Sequence, residues 1–201
     1  MKRILGRGAS AATGRLLAAA LCATAAMIGP PVAGAATNTG MSSIPAPGGT
    51  LEVHATADCV QAQGRCFFNT QINLLTPEGP IGFPGEFWAR QTITVRSTDR
   101  SVFQEVSYSA PSGAPPESKG ANINNVLSRS FKAVSGNEIS VTYFGGGPLE
   151  RFRTDGTAVQ TDWATGKPTT EAGFIVCSNV QVVYSGVNFT TPAACAQTTF
   201  S

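Results

Sequence analysis

Charge is scarce in this chain and histidine nearly absent. Only 13% of the 201 residues are charged, and His54 is the sole imidazole. Histidine-based metal coordination therefore has no donor set, and acid–base chemistry would have to run through one ring or through carboxylates. No Gly-x-Ser-x-Gly elbow marks a nucleophilic serine. No Cys-x-x-Cys pair opens a helix, which removes the usual redox motif. The glycine run Gly145–Gly147 lacks both the lysine of a phosphate loop and a helix after it, so it reads as a turn or bulge. No stretch carries a convincing helical stripe.

What is present begins with a leader. Residues 1–15 hold Lys2, Arg3, Arg7 and Arg15 and no acid, and "LLAAALCATAAMIG" follows as an apolar run too short to span a bilayer comfortably. Ala33 and Ala35 stand in the small-x-small arrangement that a signal peptidase accepts. A cleaved secretory signal over 1–35 is expected, with Cys22 discarded along with it, because Leu21 rather than a small residue precedes that cysteine. Four of the 14 cationic residues lie in this leader and all 12 acids lie beyond residue 50, so the mature chain carries a net charge of −2. Nucleic-acid binding has no basic surface to support it, and adsorption to anionic lipid has none either.

Four cysteines survive maturation: Cys59, Cys66, Cys177 and Cys195. An even count in an exported chain reads as disulfides. The local pairs Cys59–Cys66 and Cys177–Cys195 are expected, each flanking an apparent turn. Residues 36–49, "ATNTGMSSIPAPGG", show no periodicity and read as a flexible lead-in.

From residue 50 to 201, period-2 alternation recurs. It sets Leu51, Val53 and Ala55 on one face, then Phe68, Ile72 and Leu74, then Phe87, Ala89, Ile93 and Val95, then Val102, Val106 and Tyr108. "ANINNVLSRSF" is ambiguous and is read as a loop followed by a strand. Turn chemistry in "STDR", "SGN", "GGGP", "TDG" and "TGKP" punctuates the runs at roughly ten-residue spacing. The expected fold is all-β: a single disulfide-clasped antiparallel β-sandwich, Ig-like or related, with a closed barrel as the alternative. Two long loops stand out, the proline-stiffened 76–86 and the more polar 110–122.

Candidate chemistry is thin. His54 reads as a rim residue. Glu86, Glu105, Asp155 and Asp162 are the carboxylates a hydrolase would draw on, but Asp155 precedes Gly156 as in a two-residue hairpin turn. The sequon at Asn188 matters only in a eukaryotic secretory route, and the Ala/Gly-rich leader looks bacterial.

The more telling feature is a strand face. "FWARQTITVR" places Trp88, Arg90, Thr92, Thr94 and Arg96 on one side. If this strand pairs with "SVFQEVSY" through "STDR", Phe103 comes opposite Thr94 and Glu105 opposite Thr92. An aromatic and arginine surface of this kind suits binding; the competing reading has the Phe83 loop cover Trp88 and make it core. The expected ligand-contacting residues are thus Trp88, Arg90, Phe103, Glu105 and Phe83.

The functional expectation is a secreted, non-catalytic binding protein of the cell envelope or exterior, taking a protein, a glycan or an apolar ligand. No cofactor or metal is expected. Nor is membrane insertion of the mature chain, since the outward faces are rich in Asn, Gln, Thr and Arg rather than in an apolar band. A small-molecule carrier with a cleft between sheets is the alternative. It would be similar in general build to the secreted actinobacterial apoproteins that enclose enediyne antibiotics, though without a shared motif. A secreted hydrolase using Asp162 or Glu105 ranks last.

Overall fold

The computed structural model describes residues 37–109, 126–133 and 136–201. The expected leader and the polar 110–122 loop lie outside these. The chain forms β1 (Asn38–Ala46), β2 (Gly49–Val60), β3 (Arg65–Thr76), β4 (Gly79–Ile81), β5 (Phe87–Ser97), β6 (Val102–Ser109), β7 (Val126–Ala133), β8 (Gly136–Phe144), β9 (Arg153–Asp162), β10 (Phe174–Tyr184), β11 (Val187–Thr190) and β12 (Ala194–Thr198). They assemble into two antiparallel sheets. Sheet 1 runs β1-β2-β3-β9-β6 with β4 on the end of β3; sheet 2 runs β11-β10-β5-β8-β7 with β12 beside β10. The ladders stay separate, so the sandwich forms and the closed barrel does not.

Alternation decided which side chains meet. Leu51, Val53 and Ala55 of β2 face Ile93, Val95, Ile139, Val141, Val176 and Val180 of sheet 2 in one buried cluster, with Phe68, Ile72 and Leu74 of β3. Burial of this kind supplies most of the favourable free energy of such a fold. One polar node crosses the interior. Gln91 is fully buried and donates to Thr70 Oγ1 of sheet 1 at 3.1 Å and to Ser178 Oγ at 2.9 Å, while its Oε1 accepts the Tyr143 hydroxyl at 3.1 Å. With those partners the amide escapes the cost of an orphaned buried group.

Both disulfides form as expected. Cys59–Cys66 and Cys177–Cys195 each join residues directly opposite in a ladder, with Cα atoms 3.9 and 4.0 Å apart. The first lies on the buried face of β2 and β3; the second faces outward on β10 and β12.

Four sequence readings are corrected. The lead-in over 36–49 is largely strand β1, fully in register with β2. It is an edge strand whose burial alternates, but Gly40 and Ser42 fill inward positions beside Ile44 and Ala46 while apolar Met41 points out, so the sequence shows no apolar alternation, and Pro45 is tolerated where a donor is not needed on both sides. The second concerns Asp155–Gly156, which is no hairpin turn but the middle of β9. Glycine stands there because the Phe68 ring lies over it: a Cβ would meet Phe68 Cζ. The third is the segment after Gly145–Gly147, read as having no helix, which opens with a single 3-10 turn over Leu149–Phe152 before β9 begins.

The fourth is the β5–β6 hairpin through "STDR". β5 is flanked on one side by β10 and on the other by β8, and β6 pairs with β9 in the opposite sheet. Both edges of β5 carry long ladders, so no edge is left for β6. Residues 98–101 instead arch between the sheets. Asp99 Oδ1 accepts the Ser101 N–H at 2.8 Å, and Thr98 exchanges hydrogen bonds with Gly173.

The 76–86 loop does hold a shape. β4 pairs with the end of β3, and Phe83 turns into the core, where its ring stacks on Phe87 at 4.0 Å and meets Phe152 edge-on at 5.0 Å. The glycine tract zips onto it: Gly147 N donates to Phe83 O at 2.8 Å, and Phe83 N donates to Gly147 O at 3.1 Å. Gly146 has no room for a side chain beside the Phe83 and Pro84 carbonyls.

Candidate functional site

Since Phe87, Ala89, Gln91 and Ile93 point inward, Trp88, Arg90, Thr92, Thr94 and Arg96 must point out from sheet 2. Register supplies their neighbours. Trp88 lies opposite Phe144 of β8 and Val183 of β10, so one cross-strand row reads Phe144, Trp88, Val183. Trp88 is half-buried, while Phe144 and Val183 remain 41% and 39% exposed. The next row sets Arg90 opposite Thr142 and Gln181, and Leu127 of β7 continues it on the far side of Thr142. In the row after that, Arg129 of β7 lies opposite Ser140.

Arg90 is exposed, and its Nε donates to Ser140 Oγ at 3.0 Å, which draws its side chain diagonally over β8. Trp88, Arg90, Leu127, Arg129, Ser140 and Thr142 together line a depression of about 190 Å³.

The expected site residues do not all come together. Trp88 and Arg90 share this face. Phe83 is buried on the opposite side of sheet 2 and does not cover Trp88. Phe103 and Glu105 sit on β6 in sheet 1, opposite Thr161 and Val159. Phe103 packs on Trp163 with ring centroids 4.4 Å apart, and Lys132 Nζ lies 4.4 Å from the same ring. Leu127, Arg129, Ser140, Thr142, Phe144 and Val183 were missed. Alternation in "VLSRSF" and "EISVTYF" puts the first five on outward faces, and alternation along β10 does the same for Val183, but nothing local says that β8 and β10 would be the neighbours of β5.

The groups with catalytic potential are engaged elsewhere. His54 Nε2 lies 3.3 Å from Glu52 Oε2, an oxygen that also accepts from Asn73 Nδ2 at 2.9 Å, all on the outer face of sheet 1. Asp155 accepts from Arg153 Nη2 at 2.8 Å and from Asn69 Nδ2 at 2.7 Å. Desolvation pushes the Asp155 carboxyl upward, but the hydrogen bonds from Arg153 and Asn69 and the Arg153 charge outweigh it and leave the group below its ordinary value. The Asp162 carboxyl is lowered by the Thr165 backbone N–H and then by the Thr165 hydroxyl, so it works as a turn cap. A general acid needs the opposite shift. Among the described residues, no three His, Cys, Asp or Glu side chains are grouped to hold a metal ion, and no helix is long and apolar enough to cross a membrane.

No protein-family model matches this sequence, and no curated protein aligns with it. Among solved structures, it is similar to a pore forming protein at 7% identity, covering 81% of this chain and 86% of that one, with a TM-score of 0.24. It is also similar to the NetB toxin of Clostridium perfringens in its membrane-inserted form, at 8% identity, 82% and 91% coverage and a TM-score of 0.23. Overlap at this level defines no common fold. What the structure itself defines is a two-sheet antiparallel β-sandwich stapled by two disulfides.

Proposed function

We propose that this is an exported, non-catalytic binding protein that captures its partner on the outer face of sheet 2. One observation carries the reading: an indole flanked in register by an exposed phenylalanine and an exposed valine, with arginines in the adjoining rows. Such faces are typical of interface anchors, because a rigid aromatic contributes contact area at little entropic cost and arginine fixes orientation. Export through the leader, with cleavage near Ala35, fits the two disulfides, which persist in oxidising compartments.

A pull-down of envelope extracts on the mature protein tests the reading. Trp88→Ala should abolish or strongly reduce capture while shifting Tm by no more than about 4 °C. Equal capture by the variant, or a collapse of its stability, would refute the face as the site.

A second reading has its own support. At one end of the sandwich, Leu74, Ile81, Phe83, Pro84 and Tyr184 line an apolar depression of about 470 Å³, a volume that suits a small apolar molecule. Its lining is drawn from both sheets, with Leu74 on β3 and Tyr184 on β10, and Phe83 closes it off from the interior by packing on Phe87 and Phe152. A carrier would bind an apolar dye there, and Ile81→Asp would release it without affecting capture through Trp88.

A further inference from the structure

Resting on the reading of this face as the binding surface, we propose that the depression between Arg90 and Arg129 receives a phosphate monoester group, with the ester's apolar part laid against Trp88. The argument begins with the strand order. β8 lies between β5 and β7, so the outward hydroxyls of Ser140 and Thr142 are bracketed by Arg90 and Arg129. Arg90 spends its Nε on Ser140 Oγ, which leaves its two terminal nitrogens for a ligand. Because Ser140 Oγ accepts that bond, its own proton is left to donate. Arg129, directly across from the same serine, offers a second fork.

Among the described residues, neither arginine has a carboxylate within ion-pair distance; the two ion pairs there are His54–Glu52 and Arg153–Asp155. The carboxylate nearest in register is Glu138, one row further along β8, opposite Thr94 and Phe131. The protein thus neutralises Arg153 with Asp155 on sheet 1 but leaves two guanidiniums converging on one pocket of sheet 2. Each polar side chain there has at least one proton to donate. Two forks and two hydroxyls exceed what the two oxygens of a carboxylate accept, and they match the three terminal oxygens of a phosphoryl group. The depression of about 190 Å³ is walled on its apolar side by Trp88 and Leu127, so a phosphoryl group seated between the arginines leaves the rest of the ligand against Trp88 and Leu127, with Phe144 beside them in register. A phosphorylated soluble metabolite or glycan and a phosphate-bearing lipid headgroup share this chemistry.

The test uses the mature oxidised protein. Phenyl phosphate, cyclohexyl phosphate and benzoate are titrated by calorimetry, and flotation is measured with phosphatidylcholine vesicles with and without phosphatidic acid. Saturable binding of the phosphates, tighter than benzoate by about tenfold and weakened by salt, is expected. Arg129→Gln and Arg90→Gln should each weaken it by about tenfold or more. Arg129→Lys, which keeps charge and loses the fork, should fall between, and circular dichroism checks that each variant is folded.

Binding of phenyl phosphate without flotation assigns a soluble ligand; flotation that requires phosphatidic acid assigns a lipid. No saturable binding of any phosphate probe, or equal affinity in the glutamine variants, overturns the proposal. If phosphate binding fails while Trp88→Ala still loses extract capture, the phosphate pocket falls and the binding face stands. If phosphate binds and Trp88→Ala captures as well as the parent, the face as a capture surface falls instead.

Discussion

Gly156 shows how one residue can be misread from its neighbours. Next to Asp155 it carries the signature of a tight turn, yet its backbone is extended and paired on both sides, with β3 and with β6. Its lack of a side chain serves Phe68, whose ring occupies the space a Cβ would need. Gly156→Ala is therefore expected to destabilise the protein by about 1–3 kcal/mol, as overpacking does. Chemical denaturation would measure this, and a Phe68→Leu background should recover much of the loss. The same limit on local reading applies to Trp88. Its outward orientation follows from alternation alone, but its exposure depends on Phe144 and Val183, roughly 55 and 95 positions along the sequence. Arg129 was invisible as a site residue for the same reason.

Among the elements, those whose inward faces are apolar were legible: β2, β3, β5, β6, β8 and β10 follow from period-2 alternation, because one buried side per strand leaves its imprint on every second residue. β1 left no such imprint, because Gly40 and Ser42 fill inward positions. Pairing was less legible than strand identity. The arch at residues 98–101 has the composition of a hairpin turn, and only the saturation of both β5 edges sends β6 to the other sheet. The disulfides were legible because each closes a local ladder. Loop closure values them at roughly 2.5 and 3 kcal/mol for separations of 7 and 18 residues. Their accessibility differs more than their energies. Cys59 and Cys66 have no exposed surface, whereas Cys195 faces solvent. Under native conditions, mild reductant followed by alkylation and mass spectrometry should label Cys177 and Cys195 first with the fold retained. Cys59 and Cys66 should react only as the protein unfolds.

Across the described residues, the few charges divide unevenly between the sheets. The strands of sheet 2 carry Arg90, Arg96, Arg129 and Lys132 against one acid, Glu138, whereas those of sheet 1 carry Glu52, Asp58, Glu105, Asp155 and Asp162 against Arg65 and Arg153. Acid should act unevenly as a result. Asp99 is held below its ordinary value of 3.8 by the Ser101 backbone N–H and then the Ser101 hydroxyl, Asp162 by Thr165, and Asp155 by Arg153 and Asn69 against its desolvation. A depressed folded value means that the stabilisation is complete above the ordinary pKa and is lost as pH falls through the lower, folded one. Stability should therefore hold down to about pH 4 and decline below it. Amide exchange should rise first at the start of β6 and the end of β9, where Trp163 N donates to Ser101 O beside both capping acids. Arg153→Gln removes the largest of the influences that hold Asp155 low, so it should reduce stability at neutral pH and make the acid decline shallower, and chemical denaturation at pH 7 and at pH 3 would show both. The placement of the two sulfur bridges has a mechanical consequence. Each links strands of one sheet, β2 to β3 and β10 to β12, and neither links one sheet to the other. Fully oxidised, the molecule is two covalently reinforced leaves held face to face by non-covalent contact and by the connecting chain alone, so a pulling force or a detergent can open it like a book without breaking a single sulfur–sulfur bond.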